Sequence, residues 1–336
     1  MAEALLKRDN HYVPRVYLRQ WAVDGLVATH SLLVPHERTR SWKRISPAAV
    51  AKRADLYTQV VRCGESDELE RWLDQTFERP AEPVIRRVTA DQRLSETDWR
   101  TLIRFALAQD VRTVAALKRF ISRQQVEMPR LLNNVLSNAV AALERGVAPQ
   151  RRSAATSSEG VPLRVKTSVE GDAATLQAEV VVGRRLWQWS MRQTLTSTIS
   201  KVPMRGWSIL RPAAGYQWPT SDDPLVRLNY TNSGEYSFDG GWDRLRGDVL
   251  MPVSPRHLLH KEGGARSRSY GMMLDARTTR EVIKVIVEHA DRYVFAVEEF
   301  DVGAIRARTV DKLGCEAERL AWQQWHAAQS AIEREF

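Results

Sequence analysis

Cysteine is scarce in this sequence, and the two present are not arranged as a metal or redox pair. Cys63 and Cys315 are the only cysteines among 336 residues, and neither belongs to a C-x-x-C motif. We therefore expect two free thiols and no zinc knuckle or disulfide framework.

Long apolar runs are also missing. No run approaches the roughly 20 residues needed to cross a bilayer, and the opening MAEALLKRDNHYVP becomes charged before a signal-peptide core can form. These features predict a soluble cytoplasmic protein without a membrane partner. The motifs G-x-x-x-x-G-K-[ST], G-x-G-x-x-G, G-x-S-x-G and H-E-x-x-H are absent as well, which disfavours P-loop, Rossmann, hydrolase-elbow and zincin chemistry.

What is present is a globular composition with an uneven distribution of positive charge. Hydrophobic residues make up 43% and charged residues 27%, values that exclude a disordered or collagen-like chain. Most of the net charge of +9 lies in residues 1–62 and 151–210. Arginine greatly outnumbers lysine, and it suits bidentate phosphate contacts and stacking on bases. A GC-rich genome would also raise the arginine content, but it would not by itself cluster the charge.

Helical patterns dominate the first half of the sequence. A short helix should begin after Pro14, and short strands should follow near Leu26 to Val34 and Leu56 to Val61. Ser66 to about Arg79 reads as a helix that Pro80 and Pro83 interrupt, and Ser95 begins a longer one. A further helix is predicted from Arg130 to Arg145, so residues 66–146 should form a helical hairpin or bundle.

The second half mixes strands and helices. Residues 146–160 resemble a linker, residues 161–182 a hairpin, and residues 184–200 a helix with a buried stripe. Short strands fill residues 207–270, and a terminal helix covers residues 310–334. This partial segregation predicts an α+β fold, in which the helical bundle packs on an antiparallel or mixed sheet from the C-terminal half. The expected layout is a mainly helical lobe (1–145), a linker or inserted loop (146–160), a mixed lobe (161–300) and a C-terminal helix (301–336), forming one integrated domain.

Five short motifs occur in order along the chain: N-H-Y-V-P-x-x-Y-L (Asn10 to Leu18), D-L-Y-T (Asp55 to Thr58), F-x-x-x-Q-x-x-R (Phe105 to Arg112), T-S-D-x-P (Thr220 to Pro224) and M-P-V-S-P (Met251 to Pro255). Together they resemble the bacterial family catalogued as domain of unknown function 4238, over roughly residues 8 to 300. The resemblance implies one prokaryotic domain with residues 146–160 as an inserted loop, and it supplies no reaction. Trp21 stands where that family usually has a Phe-like residue.

His11 and the acidic pair Asp222 and Asp223 are the candidate catalytic residues. An imidazole can accept or donate a proton near neutral pH, and His11 lies between Asn10 and the rigid Pro14. Its alternative role is to cap the first helix or bond a backbone carbonyl. Asp222 and Asp223 could bind a divalent cation, Mg²⁺ or Mn²⁺, or orient a histidine, and their alternative role is a turn fixed by Pro224.

Candidate substrate-binding residues lie on two predicted helices. Gln109 and Arg112 are three apart and could hold one anion together with Asn10, or Arg112 could instead bridge to Asp222 or Asp223. Arg184, Arg185 and Trp189 combine cations with a ring that could stack on single-stranded nucleic acid.

Two further patterns could bind metal ions but have simpler explanations. Glu70, Asp74 and Glu78 align along one helix, which is more often a solvated face. His257 and His260 form H-x-x-H without a recognisable third zinc ligand.

Three functions remain open. The first is a nuclease-like enzyme that cleaves phosphodiester bonds, in the setting of a prokaryotic toxin or defence effector with an antitoxin or defence protein as partner. His11 would be its acid or base, and the segments 1–62 and 151–210 would attract the nucleic acid. The second is a non-catalytic nucleic-acid-binding or regulatory protein, and the third is an enzyme on a small phosphorylated or nucleotide substrate.

Overall fold

The computed structural model describes residues 6–61, 64–145, 163–170, 173–232, 235–264 and 268–335. The predicted linker at 146–160 and one of the two cysteines, Cys63, lie outside these residues. Cys315 is a free thiol, as expected. The predicted α+β class is confirmed, because long helices and several sheets occur together.

The helices concentrate in the first half and at the C-terminus. The α-helices are α1 Arg15–Leu18, α2 Glu68–Leu73, α3 Arg79–Thr89, α4 Glu96–Arg112, α5 Val114–Glu144, α6 Arg184–Thr196, α7 Ala276–His289 and α8 Lys312–Glu335. Short 3₁₀ segments cover Arg19–Trp21 and Thr198–Lys201, and a π-helical turn covers Asp74–Glu78. None of the described helices is long and apolar enough to span a membrane.

The strands are short. In chain order they are β1 Asp9–His11, β2 Val27–Ser31, β3 Leu33–Val34, β4 Trp42–Ile45, β5 Lys52–Ala54, β6 Gln59–Val61, β7 Gly64–Ser66, β8 Leu163–Glu170, β9 Ala173–Val180, β10 Trp207–Arg211, β11 Thr220–Ser221, β12 Val226–Arg227, β13 Asn229–Asn232, β14 Glu235–Ser237, β15 Asp248–Ser254, β16 His257–Glu262, β17 Met272–Met273, β18 Tyr293–Ala296 and β19 Thr309–Val310.

The two largest sheets contain nine of the 19 described strands, and the other ten pair in two-stranded sheets. The larger one has the order β12-β15-β16-β10-β17 and is mixed, since β10 and β17 run parallel while its other neighbours are antiparallel. All five strands lie between Trp207 and Met273, so the mixed sheet predicted from the C-terminal half is confirmed. The antiparallel sheet β11-β18-β2-β4 pairs strands from both ends of the chain.

Two predicted helix boundaries are wrong, both at prolines. Pro80 and Pro83 do not end the helix, which continues from α2 through the π-helical turn into α3. Pro80 directly follows the π-helical turn, and Pro83 lies inside α3. Pro129 lies inside α5, which runs unbroken through the predicted start at Arg130.

Other local predictions are confirmed. Ser95 caps α4 through a capping box with Asp98, in which each side chain bonds the backbone N–H of the other. The stripe on α6 is buried, with Trp187, Met191 and Leu195 each at most 2% exposed.

One large hydrophobic core joins distant parts of the chain. It includes Tyr17 and Trp21 near the N-terminus, Phe105 on α4, Trp187 on α6 and Met251 on β15. The ring of Trp21 also donates a hydrogen bond from Nε1 to the Trp218 carbonyl, at 2.8 Å. The N-terminal segment that carries His11 is therefore held by packing against both halves of the sequence.

Candidate functional site

A polar cavity of about 560 Å³ opens beside His11. Its wall combines His11 with cationic and acidic side chains from β1, α1, β5 and α2 to α3, among them Arg15, Arg19, Lys52, Glu70, Asp74 and Glu78. We call it the His11 cavity. Nothing in the spacing of these residues along the chain shows that they share one cavity, because β5 and α2 lie tens of residues after His11.

The backbone around His11 is fixed on both sides. His11 ends β1, where it pairs with Lys52 of β5, and Pro14 precedes the first turn of α1. Asn10 is fully buried, and its amide donates from Nδ2 to the Lys7 carbonyl and accepts at Oδ1 from the Tyr57 backbone N–H. Asn10 therefore joins β1 to the D-L-Y-T segment, and it does not line the cavity.

The hydrogen bond of His11 selects its tautomer. Nε2 lies 3.2 Å from the Ala48 carbonyl oxygen, and a carbonyl can only accept, so Nε2 carries the proton when this bond forms. Nδ1 makes no hydrogen bond to any residue that the structure describes. Burial lowers the pKa of His11, and the charges of Arg15, Lys52 and Lys7 lower it further, against the opposing effect of the Ala48 bond. A neutral ring with a lone pair on Nδ1 follows.

Three carboxylates from the helical segment α2 to α3 also line the cavity. Glu70, Asp74 and Glu78 were aligned by their spacing, and all three contribute to the wall. Glu70 is only 3% exposed and accepts a hydrogen bond from Lys7 Nζ at 2.8 Å, while burial raises the pKa of Glu70 above its ordinary value. The π-helical turn covers Asp74–Glu78, and such turns are frequent at functional sites. The simpler expectation of a solvated face is therefore wrong for Glu70.

Arg112 lies directly behind this cavity with no exposed side-chain surface. Its NH1 donates to Glu78 Oε1 at 2.6 Å, its NH2 donates to the His11 carbonyl at 2.7 Å, and its Nε donates to the Tyr57 hydroxyl at 3.2 Å. The Tyr57 hydroxyl in turn donates to the Arg112 carbonyl. The structure thus brings Arg112 to His11, but every nitrogen of the guanidinium is occupied by protein.

Gln109 does not join Arg112 at an anion site. Its side chain is fully buried, and neither its amide nitrogen nor its amide oxygen has a hydrogen-bond partner among the described residues. The predicted bridge from Arg112 to Asp222 or Asp223 is also wrong, because Arg112 pairs with Glu78 and the acidic pair has other partners.

Asp222 and Asp223 lie in a separate, buried network. Asp222 accepts the backbone N–H groups of Asp291 and Arg292, and Asp223 accepts from the Thr113 hydroxyl and from Arg119. Burial raises the pKa of Asp222 to about 7, helped by the charge of Asp291.

The second carboxyl of this pair titrates in the opposite direction. Burial alone would raise the pKa of Asp223, but His289 and Arg119 hold it below its ordinary value. We call Asp222, Asp223, Thr113, Arg119 and His289 the Asp223 network, and no residue of it lines the His11 cavity.

The predicted metal and nucleic-acid residues are placed as follows. Among the described residues, no group of three or more His, Cys, Asp or Glu side chains is arranged to hold a metal ion. Arg184 is fully buried and forms a two-point ion pair with Glu333, which ties α6 to α8. Arg185 and Trp189 are half-buried, and the Trp189 ring packs on the core.

Sequence reasoning missed a second polar arrangement. The His257 ring bonds Ser254 Oγ through Nδ1 at 2.7 Å and Asp91 Oδ1 through Nε2 at 2.8 Å, and Asp91 also pairs with Arg211. The M-P-V-S-P and H-x-x-H patterns were the available signals for Ser254 and His257. Asp91 and Arg211 gave none, because they are distant in sequence.

Comparison with known proteins identifies a family. A family model described as "Protein of unknown function (DUF4238)" matches residues 9–299. No curated protein and no solved structure matches the chain.

Proposed function

The chain belongs to the DUF4238 family, and from this premise and the geometry of the His11 cavity we propose that it is an acid–base enzyme hydrolysing phosphodiester bonds of nucleic acid. The observation that carries the proposal is the state of His11. Its ring is held by Ala48 in the tautomer with the proton on Nε2, which leaves Nδ1 as a base. A general base must be unprotonated at working pH, and the lowered pKa of His11 provides this.

The cations around His11 support an anionic substrate. Arg15 and Arg19 line the cavity, are exposed, and form no ion pair with any described residue. Lys52 lines the same wall but is paired with Asp9 at 2.6 Å. Arginine matches the geometry of a phosphate group with two parallel N–H donors. In this proposal Arg15 and Arg19 bind the phosphate, in the segment 1–62 that carries much of the net positive charge.

The proposed step is a hydrolysis. Nδ1 of His11 takes a proton from a water molecule while the oxygen of that water forms the new bond to phosphorus. The bond from phosphorus to the leaving oxygen breaks. The leaving oxygen takes a proton from solvent, and the imidazolium then releases its proton to solvent. The charges of Arg15 and Arg19 stabilise the negative charge that grows on the phosphate oxygens.

Arg112 and Glu78 act in this scheme as positioning residues. The guanidinium of Arg112 bonds the His11 carbonyl and the Glu78 carboxylate, so it fixes the backbone that carries the base. Its side chain has no exposed surface from which to contact a phosphate, so Arg112 supports His11 and does not bind the anion as its spacing to Gln109 predicted.

A nuclease of this kind fits the setting of a cytoplasmic toxin or defence effector, and we propose that class of role. The support is the clustering of arginine, which suits a polynucleotide, and an open acid–base cavity next to it. Such an enzyme requires restraint in its own cell, so an antitoxin or defence protein is the proposed partner.

A second candidate is non-catalytic nucleic-acid binding, and one surface favours it. A groove of about 810 Å³ between α4, α5 and α6 combines Arg119, Arg123 and Arg227 with the aromatic rings of Phe120 and Trp242. Cations beside ring faces suit single-stranded nucleic acid. Two of these arginines are already neutralised, Arg119 by Asp223 and Arg227 by Asp110, so this groove is the weaker argument.

The test compares His11→Gln with a matched histidine variant. His36 is exposed on the surface and lies outside the cavity, so His36→Gln serves as the control. Purified wild-type and variant proteins are incubated with tRNA, single-stranded DNA and double-stranded DNA, with and without Mg²⁺ or Mn²⁺. We expect wild type and His36→Gln to cleave one of these substrates. His11→Gln should lose about 10²- to 10⁴-fold in turnover, with an unfolding midpoint close to that of wild type.

Other outcomes assign the alternatives. Salt-dependent binding without cleavage by wild type would favour the second candidate, and absence of both binding and cleavage would favour a small phosphorylated substrate. Equal cleavage by wild type and His11→Gln would overturn the role of His11.

A further inference from the structure

Another cavity lies apart from the His11 cavity. It has a volume of about 1120 Å³ and lies between the end of β10, the loop 212–219, α7 and the segment that follows β18. We call it the Arg211 cavity. No residue lines both cavities. The volume of the Arg211 cavity exceeds the range of roughly 300–1,000 Å³ typical of small-molecule sites.

The floor of the Arg211 cavity is apolar and contains two accessible rings. Trp218 and Ala296 are buried beneath it, and Ile283 of α7 adds an aliphatic wall. Tyr216 and Phe300 line the cavity and are half-buried, so part of each ring is accessible. A planar ring of a ligand can pack against such side chains.

Its rim carries four cations, and two of them are positioned by other side chains. Arg211 forms an ion pair with Asp91. Asp91 is also hydrogen-bonded to His257, whose other ring nitrogen bonds Ser254. Arg280 donates from NH1 to the Tyr216 hydroxyl at 2.9 Å. Arg256 and Lys284 complete the set. A half-buried, positioned arginine beside further cations is the arrangement that proteins use for phosphate groups.

Two buried donors in this wall have no acceptor. The Arg211 Nε and the Trp218 Nε1 are both buried, and neither has a hydrogen-bond partner among the described residues. An unmatched buried donor is unfavourable in a folded protein. Neither atom has accessible surface, so both lie beneath the cavity wall, and any contact of Arg211 with a phosphate is made by the exposed part of its guanidinium.

Four acidic residues also line the cavity, Glu281, Glu298, Glu299 and Asp301. Glu298 and Glu299 line the cavity, are exposed, and form no ion pair with a described residue. A carboxylate repels a phosphate, but it accepts hydrogen bonds from hydroxyl or amino groups. The ligand should therefore have an anionic end, an apolar planar part, and donors elsewhere.

From these three parts we propose that the Arg211 cavity is a binding site for a nucleoside phosphate. Arg211 and Arg280 take the phosphate, Tyr216 and Phe300 pack on the base, and Glu298 or Glu299 accepts from the sugar hydroxyls. The site is independent of the proposed cleavage chemistry, since it shares no residue with the His11 cavity.

The test is calorimetric titration of the full-length protein with AMP, GMP, CMP and UMP. Adenosine and inorganic phosphate serve as the two halves of the ligand. Arg280→Gln removes a rim cation on α7, and Arg277→Gln is its matched control, because Arg277 is exposed on the same helix and lies outside the cavity. Arg211→Gln is a second variant, checked by its unfolding midpoint.

We expect at least one nucleotide to bind wild type and Arg277→Gln with equal affinity. Binding should weaken about tenfold or more in Arg280→Gln, because a hydrogen bond to a charged group is lost. Adenosine and phosphate should each bind more weakly than the nucleotide. The proposal is overturned if none of the four nucleotides binds wild type, if Arg277→Gln and Arg280→Gln weaken binding equally or not at all, or if phosphate alone binds as tightly as the nucleotides. None of these results depends on whether the protein cleaves nucleic acid.

Discussion

The His11 cavity and the Asp223 network have similar sequence signatures but opposite environments. His11 ends strand β1 three residues before Pro14, and Asp222 and Asp223 follow strand β11 directly before Pro224. In the Asp223 network all four carboxylate oxygens of the acidic pair accept hydrogen bonds from described residues. In the His11 cavity the ring nitrogen Nδ1 has no such partner and the side chain is part-exposed.

This contrast separates residues that hold the fold from residues that are available for chemistry. A side chain can take part in catalysis only if the substrate can reach it and its reactive atom is not already hydrogen-bonded within the protein. Asp222 and Asp223 have neither, so their expected catalytic role finds no support in the geometry. They join the loop after β11 to α5 and to the start of β18 instead.

Asp223→Ala should give the largest effect on stability. Removing the carboxylate leaves Thr113 and Arg119 without their acceptor and takes away the negative charge beside His289. We expect a loss of about 3 kcal/mol in the free energy of unfolding, at the low end of the range for a broken buried pair because Arg119 is half-exposed. Urea denaturation followed by circular dichroism measures it.

The same measurement on His11→Gln supplies the contrast. His11 is part-exposed and makes one side-chain hydrogen bond, so its loss should cost less than about 1 kcal/mol. Equal losses in the two variants would remove the distinction between the regions.

Tyr57→Phe should give a smaller loss of stability. The Tyr57 hydroxyl connects the core to the His11 cavity through Arg112. The Tyr57 hydroxyl accepts from Arg112 Nε and donates to the Arg112 carbonyl, and both of these groups are buried. We expect a loss of about 1–2 kcal/mol in the free energy of unfolding. Lower turnover with unchanged substrate affinity should accompany it, since Arg112 positions the backbone of His11. A variant with wild-type stability would show that the hydroxyl does not support Arg112.

Arg15→Gln should affect binding and leave stability almost unchanged. Arg15 is exposed and unpaired among the described residues, so its removal costs little folding energy. If Arg15 contacts a phosphate, the slope of log affinity against log salt for single-stranded nucleic acid should fall by about 0.7. Arg38→Gln, an exposed arginine outside the cavity, is the matched control and should keep the wild-type slope. Identical slopes for both variants would exclude Arg15 from the phosphate site.

The sequence predicted local structure best where one short segment decides it. Ser95 and Asp98 cap α4 through atoms three residues apart, and the Trp187 stripe follows from helical periodicity alone. The prolines failed as helix boundaries because their cost depends on surroundings. At Pro80 the π-helical turn adapts the backbone, and at Pro129 tertiary context overrides the propensity.

The candidate site was only partly predictable for a related reason. His11 was identified because its residue type and its place before Pro14 are local properties. The burial of Arg112 and Asp223 depends on partners such as Glu78 and Arg119 from other elements, which no local pattern specifies. The hydrogen bond that fixes the His11 tautomer is accepted by the backbone carbonyl of Ala48, and no sequence pattern predicts which carbonyl lies there.

The protonation state of His11 tests the central claim most directly. Nitrogen-15 chemical shifts of the histidine rings, assigned with His11→Gln and followed from pH 4 to pH 9, report both the tautomer and the pKa. We predict a neutral ring with the proton on Nε2 and a pKa below 6.5, because burial and the charges of Arg15, Lys52 and Lys7 disfavour the imidazolium. Because the neutral form is favoured in the folded state, the contribution of His11 to stability, and the activity of a base, are lost as the pH falls through that pKa. A proton on Nδ1, or a pKa at or above 6.5, would contradict the account.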